Sequence, residues 1–211
     1  MPARVDYGEL VLLWKEIPEG RSIMDRSKPL QSFLSGRVRI LLGDITKQNV
    51  DVIVNAANST LFGGGGVDGA IHATGGPQIL EECREIRRTR YPHGLPTGEV
   101  VLTTGGNLPA RYVIHTVGPI TRIGHEPDAL LLASCYRNSL ALAAENGLRS
   151  IAFPAISTGA FGYPSEQAAP VVSETIESVM TTGTVVERVL LVFYEAEDAR
   201  LFLKNQRFTT H

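Results

Sequence analysis

The sequence predicts an α/β fold, a three-layer α/β/α sandwich around a largely parallel or mixed sheet. Three observations carry that expectation. Short apolar runs alternate along the chain with longer segments of helical periodicity. Runs such as VDVIV at 50–54, broken only by Asp51, and IAFPAI at 151–156 are apolar at nearly every position, which suits a sheet covered on both faces. The 211 residues, 43% hydrophobic and 20% charged, suffice for one core without disulfide or metal staples, and they argue against a disordered or fibrous chain.

The elements follow in order. Residues 6–17 have the pattern of a short helix, ended by Pro18-Glu19-Gly20. The composition changes near Ser35-Gly36, so residues 1–35 read as an N-terminal extension of uncertain role and 36–211 as the domain. Residues 38–42 and 50–54 read as strands rich in β-branched side chains. Residues 67–73 and 77–88 read as helices, the second opened by Pro77. Strands at 99–103 and 112–117 are joined through Gly105-Gly106-Asn107. Residues 128–146 repeat apolar positions at helical spacing, and Asn146-Gly147 supplies the stop. A buried strand at 151–156, a helix at 165–180, a strand at 188–193 and a helix at 197–204 complete the domain.

Composition excludes several classes of function. Twenty basic and twenty-two acidic residues give a net charge of −2, so no whole-chain basic footprint for nucleic acid exists. The run at 81–90 mixes four arginines with three glutamates and reads as a solvated helix face. No apolar run reaches the ~18 residues of a membrane span. Charged residues scattered through the first sixteen positions do not fit a signal peptide. Cys83 and Cys135 make neither a disulfide framework nor a zinc motif; they read as reduced packing residues, and the cytoplasm is the expected compartment. No heptad or long apolar stretch argues for assembly, so a monomer is expected.

Ligands of such sheets bind beyond the carboxyl ends of the strands, which directs attention to four loops. Gly43-Asp44-Ile45-Thr46 places a carboxylate at a strand end, where it can cap a turn or accept the amino group of a base. Asn55-Ala56-Ala57-Asn58 offers amides that can hold sugar hydroxyls or simply turn the chain. Gly63-Gly64-Gly65-Gly66-Val67-Asp68-Gly69 leads into a helix. Its bare backbone can approach phosphate oxygens at a helix N-terminus, with Asp68 and His72 one turn apart on one face. It is not a Rossmann turn, since Asn55–Phe62 intervenes between it and the preceding strand, and not a P-loop, since no Gly-Lys-Ser/Thr follows. Ordering four glycines is costly, which favours a ligand over a surface linker. Ser157-Thr158-Gly159-Ala160-Phe161-Gly162-Tyr163-Pro164 repeats the small-residue pattern before another helix. Two such loops suit a ligand with two phosphates, gripped from both sides.

Taken together, GDIT at 43–46, VNAAN at 54–58, GGGGVDGAIH at 63–72, LPTGEV at 95–100, YVIHTVGP at 112–119 and PAISTGAFGYP at 154–164 resemble the macrodomain family, and within it the MacroD-type ADP-ribosyl hydrolases. The resemblance spans about residues 36–202 and implies a six-stranded mixed sheet with an ADP-ribose cleft across its top. It implies that Asp44, with Ile45, recognises adenine, that Tyr194 stacks near it, and that Asn55 and Asn58 face the ligand, Asn58 holding the distal ribose. It assigns Gly64, Gly65, Gly66 and Val67 to one side of the diphosphate, and Ser157, Thr158, Gly159, Ala160 and Phe161 to the other. Asp68 fills the aspartate position of the family's hydrolases. The implied substrates are mono-ADP-ribose esters on protein Asp or Glu and O-acetyl-ADP-ribose.

The expected chemistry uses an ordered water as nucleophile, with no metal and no cofactor. Asp68, Asn58 and His72 are its candidate catalytic residues, although His72 is equally explained as a helix histidine bonded to a carbonyl. His115, inside an apolar strand, reads as a core histidine. The competing class is an ADP-ribose-binding module without turnover.

Overall fold

The computed structural model describes residues 28–209; the helix expected at 6–17 lies outside them. The chain runs β1 (Gln31–Phe33), β2 (Val38–Leu42), a 3-10 turn (Ile45–Lys47), β3 (Val52–Ala57), α1 (Gly66–Gly75), α2 (Pro77–Thr89), β4 (Val100–Thr104), β5 (Tyr112–Val117), α3 (Ala129–Glu145), β6 (Ser150–Phe153), α4 (Ser165–Thr181), β7 (Arg188–Phe193) and α5 (Ala196–Asn205). The seven strands form one mixed sheet in the order β1-β2-β7-β6-β3-β5-β4. The five central strands are parallel, and β1 and β4 are antiparallel edges. No described helix is long and apolar enough to cross a membrane.

The sheet has seven strands where six were expected. The additional one is β1, so the sheet begins upstream of Gly36. Its hairpin to β2 turns through left-handed Leu34 (φ 50°) and Ser35 (φ 56°). Two-residue hairpins normally announce themselves by Asn-Gly or Asp-Gly; this loop spans residues 34–37, and Gly36 (φ 85°) is its one conventional turn residue. Packing compensates for the strained turn: Phe33 stacks on Phe208 beyond α5, with ring centroids 4.7 Å apart.

The unbroken apolar runs are explained by the two covered faces. On β7, Val189, Leu191 and Phe193 join one core cluster while Leu190 and Val192 join the other. The first cluster is closed by α3, α4 and α5 through residues such as Leu132, Ile176 and Phe202. The second is closed by α1 and α2 through Ile71, Ile79 and Cys83. Both cysteines are buried and free.

At the amino ends of the strands, Asp51 ties three of them together. Its carboxylate accepts from Arg111 (2.8 Å), the Arg149 and Ser150 backbone N–H groups (both 2.9 Å) and the Ser150 hydroxyl (2.9 Å). Burial alone would raise its pKa, but these hydrogen bonds outweigh it and hold the group below its ordinary value. A depressed carboxylate pKa adds stability that is present above the unfolded value and lost as pH falls through the folded one. Asp51→Ala is therefore expected to destabilise by about 2 kcal/mol at neutral pH. In denaturant melts that deficit should shrink in acid; a deficit independent of pH would refute the assignment.

Candidate active site

The functional loops converge where the parallel strands end. A cleft with two lobes lies there. The larger lobe, about 490 Å³, is lined by Asp44, Ile45, Gly66, Val67, Thr158, Gly159, Tyr194 and Asp198, among others. The second, about 330 Å³, is lined by Asn58, Gly64, Gly65, Asp68, Gly118, Ser157, Ala160 and Phe161, among others. Gly66, Val67, Ala155 and Gly159 line both and form the waist between them. Each lobe is in the size range of small-ligand pockets, roughly 300–1,000 Å³. The shape suits a ligand of two bulky ends joined by a slim linker.

Backbone chemistry defines the waist. Helix α1 starts at Gly66, with Gly65 as its N-cap, so its first N–H groups have no intrahelical acceptor and carry a partial positive charge. The opposite wall turns at Ser157, a buried non-glycine residue at φ 68° whose hydroxyl has no partner among the described residues. That turn fits only because residue 118 is glycine: a Cβ there would meet Ser157 Oγ at 2.0 Å. The unsatisfied N–H groups of the α1 N-terminus favour an anion at the waist, and the unpartnered Ser157 hydroxyl lies in the adjoining smaller lobe.

At the larger lobe, Asp44 is both turn cap and cleft residue. Its Oδ1 accepts from the Thr46 backbone N–H (2.8 Å) and hydroxyl (2.7 Å). Tyr194, 76% exposed, flanks the opening. Asp198, in the first turn of α5, adds a second carboxylate to this lobe. Sequence reasoning passed over Asp198, because acidic residues in a first helical turn are ordinary dipole partners.

Asp68 dominates the smaller lobe. It is 4% exposed. Its Oδ1 accepts from Asn55 Nδ2 at 2.7 Å, and Oδ2 lies 3.4 Å from Asn58 Nδ2. Burial raises its pKa; the Asn55 hydrogen bond and the neighbouring His72 oppose that without cancelling it. His72 Nε2 lies 3.4 Å from Asp68 Oδ1, within ion-pair range, but it is not aligned as a hydrogen bond. The carboxylate is thus confined and more basic than an exposed aspartate. Asn58 itself is fixed by donating to Gly63 O (2.9 Å) and accepting from the Thr60 N–H (3.0 Å).

Two expected site residues stand elsewhere. Asn55 was read as part of a loop facing the ligand. It lies inside β3, fully buried, and supports Asp68 from beneath. The strand runs on to Ala57 because its pairing with β5 continues through Ala57↔Val117. His72 sits behind Asp68 and lines neither lobe. Below them, atoms of His72, Cys83 and His115 gather within 4.8 Å of one another, the separation of metal ligands. Both ring nitrogens of His115 are engaged, Nε2 with Thr103 Oγ1 at 2.9 Å and Nδ1 with Asn55 Nδ2 at 3.1 Å, so this ring has no free nitrogen to offer a metal.

Fold and cleft define a class of protein: a single α/β/α domain with a glycine-lined, two-lobed ligand cleft over the ends of its parallel strands. Comparison with known proteins identifies which one. Residues 54–172 match the Macro domain family, and the chain belongs to that family. It is 51% identical over 169 residues to an O-acetyl-ADP-ribose deacetylase of Escherichia fergusonii, an alignment covering 80% of this chain and 94% of that one. The fold superposes on the Oceanobacillus iheyensis macrodomain with ADP at a TM-score of 0.76 and 46% identity, covering 80% of this chain and 88% of that one. The Trypanosoma brucei macrodomain in complex with ADP-ribose matches at 0.72 and 39% identity, covering 84% and 72%.

Proposed function

We propose that the protein binds ADP-ribose and hydrolyses its esters, deacetylating O-acetyl-ADP-ribose and releasing mono-ADP-ribose from protein aspartate and glutamate. The observation that carries this reading is the buried, basic Asp68 carboxylate at the floor of the smaller lobe, beside Asn58. A relative about half identical that is an O-acetyl-ADP-ribose deacetylase, and similar structures with ADP and ADP-ribose, support it.

In this reading adenine occupies the larger lobe between Asp44 and Tyr194. The diphosphate crosses the waist against the α1 N-terminus and the Ser157 wall. The distal ribose and its acyl group enter the smaller lobe, where Asn58 orients the sugar. Asp68 holds a water against the ester carbonyl. The water oxygen adds to the carbonyl carbon, and the ester C–O bond to the ribose then breaks. The water's proton passes by way of Asp68 to the departing ribose oxygen. The products are a carboxylic acid and ADP-ribose. A raised pKa makes Asp68 a stronger base than an exposed aspartate and, once protonated, the acid that the departing ribose oxygen needs. No metal or redox cofactor enters the scheme.

The test incubates the protein with O-acetyl-ADP-ribose and, separately, with a carrier mono-ADP-ribosylated on glutamate, with and without EDTA. Acetate and free ADP-ribose should appear at rates unaffected by EDTA. Absence of release from both esters would end the hydrolase reading; ADP-ribose binding in calorimetry would then leave a binding module.

A further inference from the structure

Behind Asp68 the second and third links of a buried polar chain have no part in the scheme so far. Asn55 on β3 pairs in register with His115 on β5, and Thr103 on β4 lies diagonally beside His115 on the same face. Asn55 and His115 are 0% exposed and Thr103 is 2% exposed. Three polar side chains are not kept in a core without a purpose that hydrogen bonding serves.

The donors and acceptors fall into one order. Thr103 Oγ1 donates to Thr104 O at 3.1 Å, so its lone pair is what meets His115 Nε2 at 2.9 Å. Nε2 therefore carries the ring proton, and Nδ1 is bare. Bare Nδ1 accepts from Asn55 Nδ2 at 3.1 Å. The other hydrogen on that nitrogen goes to Asp68 Oδ1 at 2.7 Å. Asn55 Oδ1 has no partner among the described residues, so the amide is oriented by its two N–H bonds alone. If it flipped, its oxygen would face both the carboxylate and bare Nδ1, two acceptor–acceptor contacts in a dry site.

We propose that His115 and Thr103 are positioning residues that fix which end of the Asn55 amide meets Asp68. The proposal rests on the hydrolase reading for its kinetic consequences, though not for its structural one. The ring is suited to the task because burial, with the adjacent His72, holds its pKa down to about 3, so no proton arrives at Nδ1 to reverse the order. The titratable groups that face Asp68 and His115 are His72 from α1 and Cys83 from α2. Cys83 Sγ lies 3.8 Å from Nε2 and stays a neutral thiol.

Three variants test this: Thr103→Val, His115→Leu and His115→Asn. None of these positions lines the cleft. Thr103→Val leaves the Nε2 proton without an acceptor, favours the other tautomer and so favours the flipped amide. His115→Leu removes the acceptor altogether. His115→Asn offers an oxygen where Nδ1 stood. The primary readout is the Asp68 carboxyl carbon followed by NMR through an acid titration, which needs no turnover.

Asp68 should titrate at higher pH in Thr103→Val and His115→Leu, and near the wild-type midpoint in His115→Asn. With O-acetyl-ADP-ribose, the acid limb of kcat should move up by the same interval. Here kcat should fall about tenfold in His115→Leu, the worth of one lost hydrogen bond, with KM nearly unchanged. An Asp68 midpoint that stays at the wild-type value in Thr103→Val overturns the proposal, even if His115→Leu does not fold. An inactive wild type would refute the hydrolase reading and leave the titration to decide the proposal by itself.

Discussion

Asp68→Asn is expected to lower turnover of O-acetyl-ADP-ribose by about 10²–10⁴-fold while leaving ADP-ribose affinity close to wild type. Asparagine keeps the shape, and it keeps an oxygen for the Asn55 donor now at 2.7 Å. It removes only the charge and the proton-accepting capacity, so the loss should fall on kcat. Stability carries a second, independent signature. Burial raises the Asp68 pKa. A group raised in the folded state contributes stability that is complete below its unfolded value and lost as pH rises through the folded one. At neutral pH the wild type therefore bears the cost of a confined charge that the asparagine does not. The variant should melt at or above the wild-type temperature at pH 7, and its advantage should vanish in acid. A variant that turns over normally would move the chemistry away from this carboxylate. One that loses affinity as severely as rate would make Asp68 a binding residue.

How far the sequence revealed this arrangement depended on where each signal was stored. Helix α3 was legible at both ends because its cues are local: Asp128 caps it through the Leu131 N–H at 2.9 Å, and Asn146-Gly147 stops it. Strand β7 was legible because both its faces are buried and the apolar run has no gap. The glycine loop and its aspartate were legible for the same reason, since the loop and the helix N-terminus it feeds are adjacent in sequence. Asn55 was misread because a polar residue ending an apolar run looks like the start of a loop. What keeps it in the strand is the backbone pairing with β5, where Asn55 sits opposite His115, 60 positions away. The same distance hid His115's involvement, since one histidine in an apolar strand gives no hint of its partners. Strand β1 was hidden by its three-residue length and by a turn that places Leu34 and Ser35, as well as Gly36, at positive φ, and Asp198 by its ordinary helical setting. Local backbone chemistry was thus readable, while the tertiary polar contacts that finish the site were not.

The residue after Asp68 separates binding from chemistry. Gly69→Ala is expected to weaken ADP-ribose binding by about 10–100-fold, or roughly 1.4–2.8 kcal/mol, with a smaller loss of kcat at saturation through the displaced Asn58. Within a helix, alanine is favoured over glycine by about 1 kcal/mol, so propensity alone predicts a gain in stability. A close contact opposes that gain: a Cβ at Gly69 would lie 2.5 Å from the Gly64 carbonyl oxygen. Overpacking of this kind costs about 1–3 kcal/mol, and what gives way is the softer side. Gly69 is anchored in α1, whereas Gly64 lies in an exposed loop. The loop should therefore shift, and Asn58 with it, because Asn58 Nδ2 is tied to the adjacent Gly63 carbonyl at 2.9 Å. The two effects on stability nearly offset, so the melting temperature should change little while the diphosphate wall is displaced. Calorimetry with ADP-ribose beside a thermal melt checks both halves. Unchanged affinity would mean that the glycine loop does not grip the diphosphate, and a collapse in melting temperature would mean that the helix, not the loop, had yielded.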